Sequence, residues 1–375
     1  MTPATPTHTS STRPVHGGNL DWAASIADCS PGSLLDFSAS INPLGPPSSV
    51  VQAMTQALGQ LHHYPDPQYR TLRRALGDHH QVPADWVLPG NGAAELLTWA
   101  ARDLARDLAE GDAPRGCHLL TPAFGDYGRA LDAFGVPCLP WPLPLADRSS
   151  QGGLPDFDPR PHPQATGLLI NNPHNPTGHL FTVDRLAPLL ERFATVIVDE
   201  AFMDFVPPDR QQSLIGHLHR YPNLVVLRSL TKFYTLPGLR IGYALGHPDR
   251  LSRWQRWRDP WPVNTLAAAA AIAAVQDEAF QTLTWQWLPP ARAALLEGLQ
   301  AIPGLEPLAG AANYLLVKTS TPAPTLQERL LRRDRLLIRD CLSFPELGAS
   351  YFRVAVRDSV ENDCLLTALT RNMGV

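Results

Sequence analysis

One lysine in this chain is placed where it could act as a nucleophile. Lys232 lies in the run Ser229-Leu230-Thr231-Lys232-Phe233-Tyr234-Thr235-Leu236-Pro237-Gly238-Leu239-Arg240. A lysine that follows a strand is ordinarily a solvated surface cation. Here its neighbours are uncharged and partly apolar. A lysine in an apolar pocket can lose its proton and attack an aldehyde. The hydroxyls of Ser229 and Thr231 lie just upstream, and Arg240 lies downstream. That set suits a phosphate held beside the amine.

Four further segments carry polar groups of matching chemistry. Val196-Ile197-Val198-Asp199 is an apolar run that ends in a carboxylate. Burying that charge is costly without a cationic partner. A protonated ring nitrogen would be one such partner; a structural or helix-capping aspartate is the other reading. Asn171-Asn172-Pro173-His174-Asn175-Pro176-Thr177-Gly178 is a rigid turn in which Asn175 could donate to a ring hydroxyl. Gly90-Asn91-Gly92-Ala93 opens a helix whose free N–H groups can hold a phosphate. Phe124, in Thr121-Pro122-Ala123-Phe124, could stack on an aromatic ring or serve simply as core.

These residues need a scaffold that brings loops together. Strand-like runs at Leu168–Ile170, Val196–Val198, Leu224–Leu227 and Ile241–Ala244 alternate with helical patterns. Such alternation implies an α/β fold with a mostly parallel sheet, whose chemistry sits beyond the carboxyl ends of the strands. Asn171, Asp199 and Ser229 obey that rule. A helix behind a Ser48-Ser49 cap, another around Leu72–Leu76 and a longer one over Ala94–Leu108 are expected. From Pro262 the pattern shifts to a long helical region. Strands follow at Tyr314–Lys318, Leu336–Arg339 and Phe352–Val356, with a helix near Leu326–Arg333. This reads as a smaller α+β domain. The expected divisions are a mobile tail over 1–14, a segment over 15–48 joining the small domain, a large domain over 49–260 and a small domain over 261–375.

The chain has 375 residues, 44% hydrophobic, with a formal charge of -4. No basic run points to nucleic acid or an anionic membrane. No apolar stretch approaches the ~20 residues of a spanning helix. The five cysteines lack paired spacing and suit free thiols in a reducing cytoplasm. His79-His80 shows no metal-ligand pattern and reads as surface. The 38 prolines are expected in connections such as Pro137–Pro144 and Pro155–Pro163.

In combination, the order and spacing of these motifs resemble the fold-type-I family of pyridoxal-5'-phosphate (PLP) aminotransferases and their relatives. The resemblance covers most of the chain. It implies that Lys232 bonds the cofactor aldehyde and Asp199 pairs with its ring nitrogen. By the same resemblance Asn175 bonds the ring hydroxyl and Phe124 stacks on the ring. Ser229, Thr231, Arg240 and the Asn91-Gly92-Ala93 amides would hold the phosphate. Tyr64, in His62-His63-Tyr64-Pro65, matches a tyrosine lent to the neighbouring subunit, so a homodimer with shared sites is implied.

Two branches of the family are similar here, histidinol-phosphate aminotransferases and threonine-phosphate decarboxylases. His16-Gly17-Gly18-Asn19 and Ser40-Ile41-Asn42-Pro43 resemble the decarboxylase opening, which implies substrate contacts by His16, Gly17 and Asn42. Phe202 stands where the aminotransferase carries a tyrosine. Arg339 and Arg353 match two arginines shared by both branches and would grip a small phosphorylated amino-acid substrate, with Asn175 beside them. The decarboxylase resemblance implies conversion of L-threonine O-3-phosphate to (R)-1-aminopropan-2-yl phosphate and carbon dioxide, in cobalamin biosynthesis. The alternatives are amino transfer with glutamate and 2-oxoglutarate, or a non-catalytic PLP-binding module. The module reading lacks the basic arm that such proteins carry.

Overall fold

A computed structural model describes residues 13–109, 116–145 and 166–374. The tail through residue 12 and the stretch Pro155–Pro163 lie outside these residues. The strands, in chain order, are β1 (Leu35–Asp36), β2 (Val87–Gly90), β3 (Cys117–Thr121), β4 (Cys138–Pro142), β5 (Gly167–Asn171), β6 (Thr195–Asp199), β7 (Leu224–Ser229), β8 (Gly242–Gly246), β9 (Leu305–Pro307), β10 (Tyr314–Thr319), β11 (Leu336–Leu337), β12 (Arg339–Asp340) and β13 (Tyr351–Ala355).

The large sheet has the order β2-β8-β7-β6-β5-β3-β4. Only β8 runs against its neighbours, β2 and β7. The central strands β5 and β6 are buried along their whole length. Their residues alternate between two cores, as a pleated strand covered on both faces requires. Leu169, Ile197, Val225 and Leu227 pack with Leu97 and Leu104 of the helix Ala93–Ala109. Leu168, Val196, Val198 and Val226 face the other core, which includes Ala267 and Ala271 of the helix Thr265–Gln276. Each fully buried Val or Leu side chain contributes roughly 1.5–3 kcal/mol.

A second sheet, β12-β13-β10-β9, is antiparallel. The strand expected over Leu336–Arg339 divides into β11 and β12, and β11 pairs parallel with β1. The N-terminal segment is thereby tied to the C-terminal part of the chain. Arg13 pairs with Asp340 at 2.7 Å, so the expected tail is anchored by its thirteenth residue.

Other expectations need correcting. The helix Ser48–Ala57 has Pro47 at its cap, and no side chain caps it. Ser49 instead donates to Asp277 at 2.5 Å, a link between helices. The proline-rich stretch around Pro140 is not a connection but the strand β4. It lies at the sheet edge, where a missing N–H interrupts no ladder. Pro289 and Pro290 lie inside the helix Glu278–Gln300 rather than between elements. His80 is partly buried, and its Nε2 lies 2.7 Å from the buried Tyr243 hydroxyl. All five cysteines are free. Among the described residues, no helix is long and apolar enough to cross a membrane.

Candidate active site

Three neighbouring strand ends build the floor of the site. Asn171 and Asp199 stand side by side at the ends of β5 and β6. The Asn171 amide donates to the Asp199 carbonyl at 2.6 Å, and its oxygen accepts the Asn175 N–H at 2.6 Å. The Asn172 N–H also donates to the Asp199 carbonyl, at 2.9 Å. The Asn-Pro loop is thus stapled to the neighbouring strand.

The Asp199 carboxylate is buried, and it accepts from the Tyr127 hydroxyl at 2.6 Å and the Ala201 N–H at 2.9 Å. Burial pushes its pKa up, against those bonds and the charge of Lys232. Lys232 follows β7, with its amine 5.8 Å from the centre of the Phe202 ring. Burial, reinforced by Arg240 and Arg353, pulls the amine from 10.5 down to about 8, against the attraction of Asp199. An amine so placed is unprotonated for about a tenth of its time at pH 7, far more than an ordinary lysine, and the unprotonated form is what a nucleophile needs.

A cradle adjoins the lysine. Gly92 has φ +79°, and a β-carbon there would lie 2.5 Å from the Arg240 Nη2. Gly242, on β8, lets the Ala93 N–H come close; a β-carbon would meet it at 2.8 Å. The start of the helix Ala93–Ala109 therefore lies against the Arg240 guanidinium. The Asn91 N–H is taken by Glu95 at 2.6 Å and the Gly92 N–H by the Gly90 carbonyl at 2.8 Å, which narrows the expected amide set to Ala93. Among the described residues, Arg240 makes one long bond, to the Pro237 carbonyl at 3.4 Å. Ser229 and Thr231 are buried beside it, with the Thr231 N–H donating to Ser229 Oγ at 3.3 Å.

The opposite wall comes from the second sheet. Arg339 and Arg353 are direct partners across β12 and β13. Two cations side by side call for an anion between them. Arg353 lies over the Tyr314 ring at 4.6 Å and donates to the Asn175 side-chain oxygen. This leaves the Asn175 amide hydrogens as donors. Arg339 donates to the Val15 carbonyl and to Ser343. Phe124 meets the His16 ring at 5.5 Å, so the N-terminal loop reaches the aromatic wall.

One expected residue, Asn42, falls elsewhere. Asn42 does not offer its amide to the cleft. Its donors go to the Phe233 carbonyl and Thr284, both at 2.9 Å, and its oxygen accepts the Leu44 N–H. Tyr64 is 79% exposed and stacks on Trp261 at 4.5 Å, away from this chain's own cleft. Tyr127 and Tyr314 were not singled out from the sequence. Tyr127 lies three residues beyond Phe124, one helical turn on, and that spacing was the available signal.

An anion cradle, a depressed amine and a buried carboxylate in need of a cation fit PLP. The sequence matches the aminotransferase class I and II model over residues 33–369. The chain belongs to the aminotransferase class I and II family. Within that family it is 41% identical to the threonine-phosphate decarboxylase of Salmonella typhimurium, over 94% of this chain and 95% of that protein. It is 32% identical to a histidinol-phosphate aminotransferase of Symbiobacterium thermophilum, over 91% of each. The crystal structure of L-threonine-O-3-phosphate decarboxylase from Porphyromonas gingivalis superposes with a TM-score of 0.80 at 23% identity, covering 91% of this chain and all of that one. Aminotransferases of the family share the same architecture, so the fold alone does not choose between the two chemistries.

Proposed function

We propose that the protein is a PLP-dependent lyase that converts L-threonine O-3-phosphate to (R)-1-aminopropan-2-yl phosphate and carbon dioxide, for cobalamin biosynthesis. The observation that carries this reading is the near-full-length likeness to the Salmonella typhimurium threonine-phosphate decarboxylase. The geometry supplies a physical account. Lys232 would hold the cofactor, Asp199 would pair with the ring nitrogen and Asn175 would donate to the ring hydroxyl. Phe124 would cover the ring, while Ser229, Thr231, Arg240 and the Ala93 amide would take the phosphate. Bound there, PLP supplies an electron sink for the bond broken at the substrate's α-carbon.

The chain's own groups decide which bond that is. The bond that breaks must stand perpendicular to the conjugated ring. Arg339 and Arg353 grip the substrate's phosphate and carboxylate, and the His16-Gly17 loop closes on them. Holding both anions would fix which bond of the α-carbon is presented for cleavage. The Lys232 amine, at about 8, is mostly protonated near neutral pH and would return a proton to the α-carbon after carbon dioxide leaves. Phe202 offers no hydroxyl to the cofactor, so Asn175 carries the ring-hydroxyl bond by itself.

The enzyme works as a homodimer in which Tyr64 of each subunit completes the other's phosphate cradle. The exposure of Tyr64 and of its stacking partner Trp261, 41% exposed, supports this. Free thiols suit residence in a reducing cytoplasm. We read residues 15–48 and 261–375 as one closing domain over a PLP-binding domain of residues 49–260. The test is purified protein with PLP and threonine phosphate. Release of carbon dioxide with equimolar amine phosphate is expected. Glutamate-dependent amino transfer to imidazole-acetol phosphate, without carbon dioxide, overturns the reading.

A further inference from the structure

The loop Val15–Asn19 is exposed and has little apolar packing of its own. Val15 alone leaves 61% of its surface in solvent. Such a segment holds one position only where polar bonds pin it. Arg339, through the Val15 carbonyl, is one pin. Ser38 is the second. Its hydroxyl accepts the Gly18 N–H at 2.8 Å and donates to Asp36 Oδ1 at 2.6 Å. The Ser38 N–H donates to the same carboxylate oxygen at 2.7 Å. Both hydrogen-bonding roles of the hydroxyl are therefore fixed, and the side chain is 2% exposed.

Backbone sterics act in the same place. A β-carbon on Gly17 would lie 2.4 Å from the Ser38 carbonyl oxygen. Backbone there cannot yield cheaply, so only glycine lets the loop lie this close. Between the two pins stands His16, against Phe124.

The anchor behind Ser38 is built on the strands that carry both arginines. Asp36 pairs in register with Leu337. The Phe37 N–H donates to the Leu337 carbonyl at 2.8 Å, and the Phe37 carbonyl accepts the Ala355 N–H at 2.9 Å. Leu337 lies two residues before Arg339, and Ala355 two residues after Arg353. The segment Asp36-Phe37-Ser38 is thus bonded to both arginine-bearing stretches. The loop, its anchor and the two cations form one hydrogen-bonded unit.

We infer that Ser38, backed by Asp36, is a positioning residue that sets the His16-Gly17 loop in register with Arg339 and Arg353 and so fixes the pose of the substrate's two anionic groups. This rests on the proposed function. Ser38 touches neither the substrate nor the cofactor in this account; it acts through the Gly18 N–H. Losing the pin leaves cofactor binding intact. It loosens the grip on the substrate and lets the carboxylate fall out of its perpendicular position. Some turnovers then break the C–H bond instead and end in amino transfer.

The experiment uses the PLP-loaded protein with threonine phosphate, with 2-oxoglutarate present as amino acceptor. Carbon dioxide and glutamate are measured together, and PLP affinity is titrated separately on the apoprotein. Ser38→Ala is expected to raise KM about tenfold, the worth of one lost hydrogen bond near the top of its usual range. The ratio of glutamate to carbon dioxide should rise, with PLP affinity within about twofold of the parent. Ser38→Thr keeps the hydroxyl and should restore both readouts. Gly17→Ala, on exposed backbone, displaces the same loop from the other side and should reproduce the KM rise without loss of fold. A Ser38→Ala protein with parental KM and product ratio overturns the inference. So does one whose PLP affinity falls in step with its activity, since that is general damage. A parent protein that releases no carbon dioxide at all overturns instead the function on which the inference rests.

Discussion

The cradle at Gly92 can be tested by adding one carbon. Gly92→Ala places a methyl group 2.5 Å from the Arg240 Nη2, well inside contact distance. Something must move, and the far end of a flexible arginine is what moves most cheaply. The backbone adds a second effect, because φ is +79° and a side chain there costs about 1–2 kcal/mol. The fold absorbs that cost, which lowers Tm by only a few degrees, roughly 1–4 °C. The cradle does not absorb the displacement of Arg240. A hydrogen bond to a charged group is worth about 1.5–3 kcal/mol, so PLP affinity should fall about 10- to 100-fold. Quenching of tryptophan fluorescence on titrating apoprotein with PLP measures this directly. Arg240→Ala should cause a similar loss, and the double variant should lose little more than either alone, because both changes remove the same contact. If Gly92→Ala binds PLP within about twofold of the parent, Arg240 and the helix N-terminus do not form the phosphate cradle. Fully additive losses would likewise refute the coupling.

Lys232→Ala should reduce carbon dioxide release about a thousandfold or more, and borohydride should no longer fix PLP covalently to the chain, as read by mass spectrometry. In the apoprotein, the rate of reaction with PLP should rise with pH through a midpoint of about 8, set by the free amine, rather than near 10.5. The sign for stability follows from the same shift. Between about 8 and 10.5 the folded state binds fewer protons than the unfolded chain, so this residue's contribution to stability rises with pH across that window. Chemical denaturation at stepped pH, with Lys232→Met as the reference, isolates that contribution. Trp261→Glu should convert the dimer to monomer in sedimentation, while Tyr64→Phe should keep the dimer and weaken PLP binding about 3- to 10-fold. Arg353→Lys loses the planar fork that meets Asn175, and kcat/KM should fall about 100-fold with PLP affinity nearly unchanged.

The parts of the fold that were legible in the sequence are those whose chemistry is local. β5, β6 and β7 are continuous apolar runs because both faces of a parallel sheet are covered, and each ends in the polar residue that faces the cleft. The helix Ala93–Ala109 follows a glycine turn and carries its apolar stripe openly. β4 was not legible. Its Pro140 and Pro142 read as loop, and only the sheet edge makes them tolerable. Nor could the sequence divide Leu336–Arg339 into two strands, because the division depends on which strand each half meets. β11 meets β1 and β12 meets β13, through contacts hundreds of residues apart in one case.

The site follows the same division. Lys232, Asp199 and Arg240 draw attention in the sequence because residue type and adjoining strand end, taken together, suggest one site. Tyr127 is not, because its meaning lies in a carboxylate 72 residues away. Asn42 and Asn175 make the point most sharply, since both precede a proline and both were read as facing substrate. The Asn175 backbone is held by Asn171 and its oxygen by Arg353, which leaves amide hydrogens to offer. Asn42 has spent its amide on Phe233 and Thr284. Its N–H donates to the Lys232 carbonyl at 3.0 Å, and its own carbonyl accepts the Thr235 hydroxyl at 2.8 Å. Asn42 therefore buckles the loop that carries Lys232 from both sides. Asn42 is thus in the neighbourhood that the resemblance implied, but its hydrogen bonds change its work from an expected substrate contact to bracing the loop of Lys232.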